Sequence, residues 1–100
     1  MLIYKLFSEK EYKNFVEESF FEGSPADNED GFIHLSTRSQ IWETVYNHFY
    51  DEKNLYISAF NFNSLDTNLK WETSRNNEYF PHYYGTLLLR DYVYSIKITN

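Results

Sequence analysis

The sequence predicts an α+β fold: one small domain over residues 1–100, with a mixed or antiparallel sheet and two main helices grouped on one face. Three observations predict it. Strand-like alternation and helix-like spacing are interleaved in the first half, and three strand-like runs follow in the second. Two hydroxyl residues stand three positions before Glu11 and Gln40, the spacing of a helix-starting capping box. No repeat, low-complexity tract or linker divides the chain. A hundred residues suit one domain with a radius of gyration near ~13 Å.

Taken in order, residues 2–7 read as an opening strand. Ser8 then caps a helix with Glu11 at its third position, and Tyr12, Phe15 and Val16 form its apolar stripe. That helix ends by Ser19. Gly23, Ser24 and Pro25 end regular structure, and the acidic stretch 23–30 reads as an exposed loop. Residues 32–36 read as a central strand, with Phe32, His34 and Ser36 on one face and Ile33 and Leu35 on the other. Thr37 opens the next helix. Ile41, Val45 and Phe49 recur along it, with Trp42 and Tyr46 widening the stripe. Residues 51–54 form a turn, residues 55–60 a strand, and residues 61–68 a polar loop. Residues 69–73 form a short strand, with Trp71 and Glu72 on opposite faces. A second polar loop covers residues 74–78. Residues 79–85 are rich in aromatics, but Pro81 argues for an ordered loop rather than a central strand. Residues 92–98 alternate as the last strand.

Composition excludes several function classes. The formal charge is -6, and the first fifty residues carry four Lys/Arg against nine Asp/Glu. No basic stripe is available for nucleic acid or an anionic membrane. Without cysteine there is no disulfide, thiol nucleophile or thiolate zinc site. The first residues are too short and too soon charged for a signal peptide, and no apolar run reaches the ~20 residues of a membrane span. These features predict a cytoplasmic protein. Three glycines cannot build a glycine-rich phosphate loop. Aromatics make up 21% of the chain, with ten Tyr and nine Phe, so many rings should line surfaces or a cleft.

Four features can carry chemistry: His34, the pair Trp71 and Glu72, His82, and the pair Tyr84 and Gly85. His34 sits in an apolar run just before Ser36, Thr37 and a helix start, where unpaired N–H groups can meet an anion. The same pattern also suits an ordinary core histidine followed by cap residues. A strand glutamate such as Glu72 either faces solvent, pairs with a cation or lines a site. Pro81 fixes the backbone ahead of His82 and helps aim its imidazole, although an aromatic loop sealing the core fits as well. His48 points away from the apolar stripe and belongs to the surface. His34, Glu72 and His82 could be drawn as metal ligands, but none has a convincing metal-motif spacing, so no metal is expected. A set of Ser36, His82 and Asp30 lacks the glycine pattern of a nucleophile elbow.

Several of these segments together resemble a known family. Residues 3–6, Gly23 to Asp27, Asp30 to Thr37, Leu69 to Glu72, and Phe80 to Gly85 occur in the order found in domain-of-unknown-function family 952, a group of small, mainly bacterial proteins. That family is grouped with the ADP-ribosyltransferase-like superfamily. The resemblance therefore implies that fold and a cleft for NAD or a related nucleotide, as a substrate and not as a resident cofactor. It implies His34 at the nicotinamide ribose and Glu72 promoting glycosidic cleavage, with His82 completing the catalytic group. It implies Ser36, Thr37, Trp71, Tyr84 and Gly85 around the ligand. The departure from the family pattern is local: no tryptophan stands near Phe15. Whether the cleft is catalytic stays open at this point. A non-catalytic small-ligand module or a protein-interaction module using residues 80–84 is the alternative, and the oligomeric state is unspecified.

Overall fold

The computed structural model describes residues 1–48 and 53–99, with a Cα radius of gyration of 12.5 Å. The elements in chain order are β1 (Leu2–Ser8), α1 (Glu9–Glu18), β2 (Phe20–Phe21), α2 (Pro25–Asp30), β3 (Ile33–His34), α3 (Ile41–His48), β4 (Asn54–Asn61), α4 (Phe62–Leu65), β5 (Leu69–Thr73), β6 (Tyr79–Tyr83), β7 (Leu87–Leu88) and β8 (Tyr92–Thr99). Short 3-10 turns lie at Asp66–Asn68 and Leu89–Asp91, and Arg75–Asn77 make the turn between β5 and β6. The Phe49 position of the predicted stripe and the first half of the predicted turn at 51–54 lie outside the described residues.

The sheets are small and antiparallel throughout. One has the order β1-β4-β8, another β3-β6-β5, and β2 pairs with β7. A two-way backbone bridge between Tyr4 and Ser36 (2.8 and 2.9 Å) joins the free edge of β1 to the chain just past β3. The alternation of β1 divides the core. Ile3 and Phe7 face α1, where they meet Phe15, Phe21, Phe60 and Leu87. Tyr4 faces α3, where it meets Ile41, Val45, Leu55, Ile57 and Ala59. The two main helices therefore cover opposite faces of the β1-β4-β8 sheet; they are not grouped on one face as predicted. The central strand explains why. Leu55, Ile57 and Ala59 are apolar on one side, and Tyr56 and Phe60 are aromatic on the other, so both sides need a cover.

Aromatic packing carries the α1 side. Phe7, Phe15 and Phe60 are fully buried, Phe7 stacks on Phe15 at 5.3 Å between centroids, and Phe21 meets Phe7 edge-on at 4.9 Å. Each buried ring stabilises the fold by about 1.5–3 kcal/mol through area alone. Ser8 and Glu11 form the predicted capping box, with both reciprocal bonds present. Val16, Trp42 and Tyr46 were expected in helix stripes, yet they are exposed. On α3, Ile41 and Val45 suffice to cover the narrow Tyr4 side, and the rings beside them turn outward.

Four segments differ from expectation. The supposed loop at 23–30 contains α2: Ser24 and Asp27 form a second capping box, Pro25 takes the first helical turn, and Gly31 ends the helix at φ 86°. The supposed loop at 61–68 contains α4, capped by the Asn61 side chain, and buries Leu65. The strand at 32–36 shrinks to Ile33–His34 and lies at the edge of its sheet, not its centre. The central strand is β6, despite Pro81. The carbonyl of Pro81 accepts the Leu35 N–H at 3.1 Å, so its missing N–H also faces the β3 side. Pro81 cannot return that bond, and β3 ends one residue earlier. On the other side, β6 pairs with β5 along its whole length, Leu69 opposite Tyr83 through Thr73 opposite Tyr79.

Candidate functional site

Register places the candidate residues. His34 lies opposite His82, and Glu72 lies opposite Phe80. Directly opposed residues share a sheet face, and alternation adds Phe32 and Tyr84 to the same side. This face is the polar one. Its reverse carries Ile33, Leu35 and Tyr83, which enter the core.

The His34 imidazole is held on both sides. Its Nδ1 lies 2.6 Å from Asp27 Oδ1, and its Nε2 lies 2.8 Å from Asp30 Oδ2. Both nitrogens can donate to these carboxylates when the ring is doubly protonated. Asp27 anchors the arrangement. Besides His34 Nδ1, it accepts from Lys5 Nζ at 2.9 and 3.2 Å, from the His34 backbone N–H at 3.1 Å and from the Ser24 N–H at 2.9 Å. Burial alone would push this carboxyl up; the His34 bond, the Lys5 charge and the Ser24 N–H outweigh it and hold Asp27 well below the usual carboxylate range. Lys5 and Asp27 are both buried, at 6% and 2% exposure, so this ion pair is internal.

Glu72 is oriented from the neighbouring strand. Its Oε1 accepts from the Tyr84 hydroxyl at 2.7 Å and from His82 Nδ1 at 2.8 Å. These two bonds, Tyr84 first, lower the Glu72 carboxyl below its ordinary value, and the same contact raises the Tyr84 phenol. Phe32 closes the group. Its ring stacks on His82 at 3.9 Å and lies 4.7 Å from His34 and 5.5 Å from Tyr84. His82 is buried, covered by Phe32 and bonded to Glu72, so it positions the carboxylate.

A cleft of about 470 Å³ runs from this group toward α3. His34, His82 and Asp30 line one part, and Ser36, Thr44 and Arg75 line another. Its volume falls within the range of ~300–1,000 Å³ that small-molecule sites occupy. Glu72 is not a lining residue and meets the cleft through His82.

The structure thus brings His34, Glu72, His82 and Tyr84 together. The other expected ligand residues divide. Ser36 lines the cleft, with its hydroxyl 3.3 Å from that of Thr44. Thr37 does not line it: its N–H donates to Gln40 Oε1, and its hydroxyl accepts from the Gln40 N–H, so the helix start is already capped. Trp71 lies on the reverse face from Glu72, opposite Pro81. Gly85 borders a separate open hollow with Gly31, Phe32 and Tyr83, where a Cβ would come within 3.1 Å of the Tyr83 ring. His48 is exposed, as expected, at the α3 end of the cleft. Among the described residues, no three histidine or acidic side chains are grouped to hold a metal ion. Ser36, His82 and Asp30 have separate partners in Thr44, Glu72 and His34.

Sequence reasoning missed Lys5, Asp27 and Arg75. A lysine amid the apolar residues of β1 was one available signal, because a buried ammonium needs a carboxylate partner. Ser24 three positions before Asp27 was another.

The family model described as "Protein of unknown function (DUF952)" matches residues 6–95. The chain belongs to this family. It is also similar to protein CC0527 from Caulobacter crescentus. The crystal structure of CC0527 has 39% identity and a TM-score of 0.89, over 97% of this chain and 85% of that one. The solution NMR structure of CC0527 has 40% identity and a TM-score of 0.82, over 95% and 82%. No curated protein matches the chain. Among the described residues, no helix is long and apolar enough to cross a membrane.

Proposed function

We propose that the cleft takes NAD or a related nucleotide and that this DUF952 chain cleaves or transfers at its ribosyl bond, in the manner of ADP-ribosyltransferase-like proteins. The observation that carries this reading is the convergence of His34 and the His82–Glu72 pair on one sheet face beside a cleft of about 470 Å³. The His34–Asp30 pair, anchored by Asp27, is the group that meets ribose hydroxyls, with the Asp30 carboxylate as the acceptor. Glu72 supplies the carboxylate. The bond from ribose to nicotinamide nitrogen breaks, and its electron pair leaves on nicotinamide. The resulting oxocarbenium ion is stabilised by the negative charge of Glu72. Water or an acceptor hydroxyl adds to the sugar and gives its proton to that carboxylate. His82 and Tyr84 both donate to Oε1 and fix this carboxylate behind His82, through which its charge reaches the cleft.

The test is a backbone NMR titration with NAD, ADP-ribose and nicotinamide. Saturable shifts at His34, Ser36, Glu72 and His82 are expected. Silence at all four positions with millimolar ligand removes the nucleotide reading. Binding without any product after long incubation would leave a non-catalytic ligand module.

A further inference from the structure

We infer that the cleft has a second recognition point, an anion subsite at Arg75 and Thr44 that takes a phosphoryl group of the ligand. This deepens the nucleotide reading and rests on it for the identity of the rest of the ligand. The argument starts from charge. Lys5 also lines the cleft, but two close contacts with Asp27 neutralise it. His34 faces two carboxylates and His82 faces one. Arg75 differs. Among the described residues its carboxylate neighbour is the half-exposed Glu43, at 4.0 Å, the outer limit of an ion pair. Among the described residues, a protein of net charge -6 thus keeps a weakly compensated guanidinium in the cleft that His34 and His82 line.

The guanidinium is also held in place. Its Nη2 donates to Thr44 Oγ1 at 2.8 Å, and its plane packs 4.9 Å from the centre of the Phe80 ring. The backbone beneath it is a tight hairpin turn. Asn76 and Asn77 both have positive φ, 55° and 59°, and the Glu78 N–H closes back on the Arg75 carbonyl at 2.9 Å. Arginine offers five donors in a rigid fork, and one is committed to Thr44. The remaining donors match a tetrahedral oxyanion. Ser36 and Thr44 add hydroxyls that can donate to the same group. A phosphoryl group here and a ribose at His34 would occupy the two ends of one ligand. The helix start at Thr37, the anion site expected from sequence, is closed by Gln40, so this role passes to Arg75.

The experiment compares wild type, Arg75→Gln and Arg75→Lys in NMR titrations with three probes: ADP-ribose, nicotinamide riboside (which has no phosphate) and inorganic pyrophosphate. Unchanged amide spectra away from residues 43–45 and 74–78 confirm that the variants fold. In wild type, ADP-ribose should shift amides at Thr44 and residues 74–77 as well as at His34. Arg75→Gln should weaken ADP-ribose about tenfold or more and leave the riboside unchanged; Arg75→Lys should fall between. Equal ADP-ribose affinity in all three proteins, with shifts confined to His34 and Glu72, overturns the subsite and spares the nucleotide reading. Pyrophosphate shifts at Thr44 that vanish in Arg75→Gln, with no response to the riboside, support the subsite and count against the ribosyl reading. Absence of response to every probe overturns both.

Discussion

Asp27→Ala is expected to cost about 3–5 kcal/mol of unfolding free energy, because it leaves the Lys5 ammonium buried without its partner. For a domain of this size that corresponds to a fall in Tm of about 15 °C or more. The substitution also removes the capping bond to Ser24 and the anchor of His34 Nδ1. A double variant, Lys5→Met with Asp27→Leu, should recover part of the loss, since a buried ion pair exchanged for apolar groups of similar size is often near neutral. The recovery stays incomplete because α2 loses its cap. Urea unfolding of the three proteins checks this, and a single variant within about 1 kcal/mol of wild type would refute it.

The same carboxylate sets a pH dependence. Its folded-state pKa is depressed, so the unfolded chain binds its proton first as pH falls. The Asp27 contribution is complete above the unfolded value of ~3.9 and is lost progressively as pH drops below it toward the lower folded value. Wild type should therefore lose stability steeply below about pH 4, and Asp27→Ala should show a shallower acid slope. Equal slopes would mean that Asp27 is not the anchor described.

Glu72→Gln carries the largest expected functional effect. In the proposed reaction, turnover should fall on the order of a hundredfold or more, with nucleotide affinity nearly unchanged, because the amide keeps the shape and loses the charge that would stabilise the oxocarbenium ion. Tyr84→Phe separates chemistry from scaffolding. The Tyr84 hydroxyl is the first cause of the lowered Glu72 carboxyl, so its removal lets that carboxyl rise. The acid limb of the rate profile should then move to higher pH, an effect that a merely structural tyrosine would not produce. Wild-type turnover in Glu72→Gln would end the assignment.

What could be read from the sequence divides along a physical line. The strands β1, β4, β5 and β8 were legible because their alternation is a local signal, and Ser8 with Glu11 announced α1. The α2 helix was hidden by its polar composition. Six residues with one inward side chain, Asp27, leave no apolar period, and only the Ser24 and Asp27 spacing marks it. β6 was hidden by Pro81, whose cost depends on which neighbour its missing N–H faces, and that is a tertiary fact. The adjacent asparagines at 76 and 77 were the overlooked clue, since paired positive-φ residues between two apolar runs form a hairpin turn. At the site, His34, Glu72 and His82 were individually visible as residue types. Their meeting was not, because it follows from the register of β3, β6 and β5. The partnership of Lys5 with Asp27 spans twenty-two positions and has no local signature.

The order β1-β4-β8 also sets how the chain acquires its shape in time. Its middle strand pairs with the first strand and the last one, Tyr4 opposite Ala59 and Ser58 opposite Ser95. Neither pairing can form until long stretches of chain have been brought together. The β5-β6 hairpin, closed over Asn76 and Asn77, needs no such closure and should form in ~1–10 μs. The full sheet should follow in roughly milliseconds to seconds, as topologies rich in non-local strand pairing do. Stopped-flow refolding would register this as a slow main phase, and complete recovery within the instrument's dead time would contradict it. The two sheets whose edges meet at Tyr4 and Ser36 are then of different ages, the one bearing His82 and Glu72 beginning early and the one bearing Lys5 closing last.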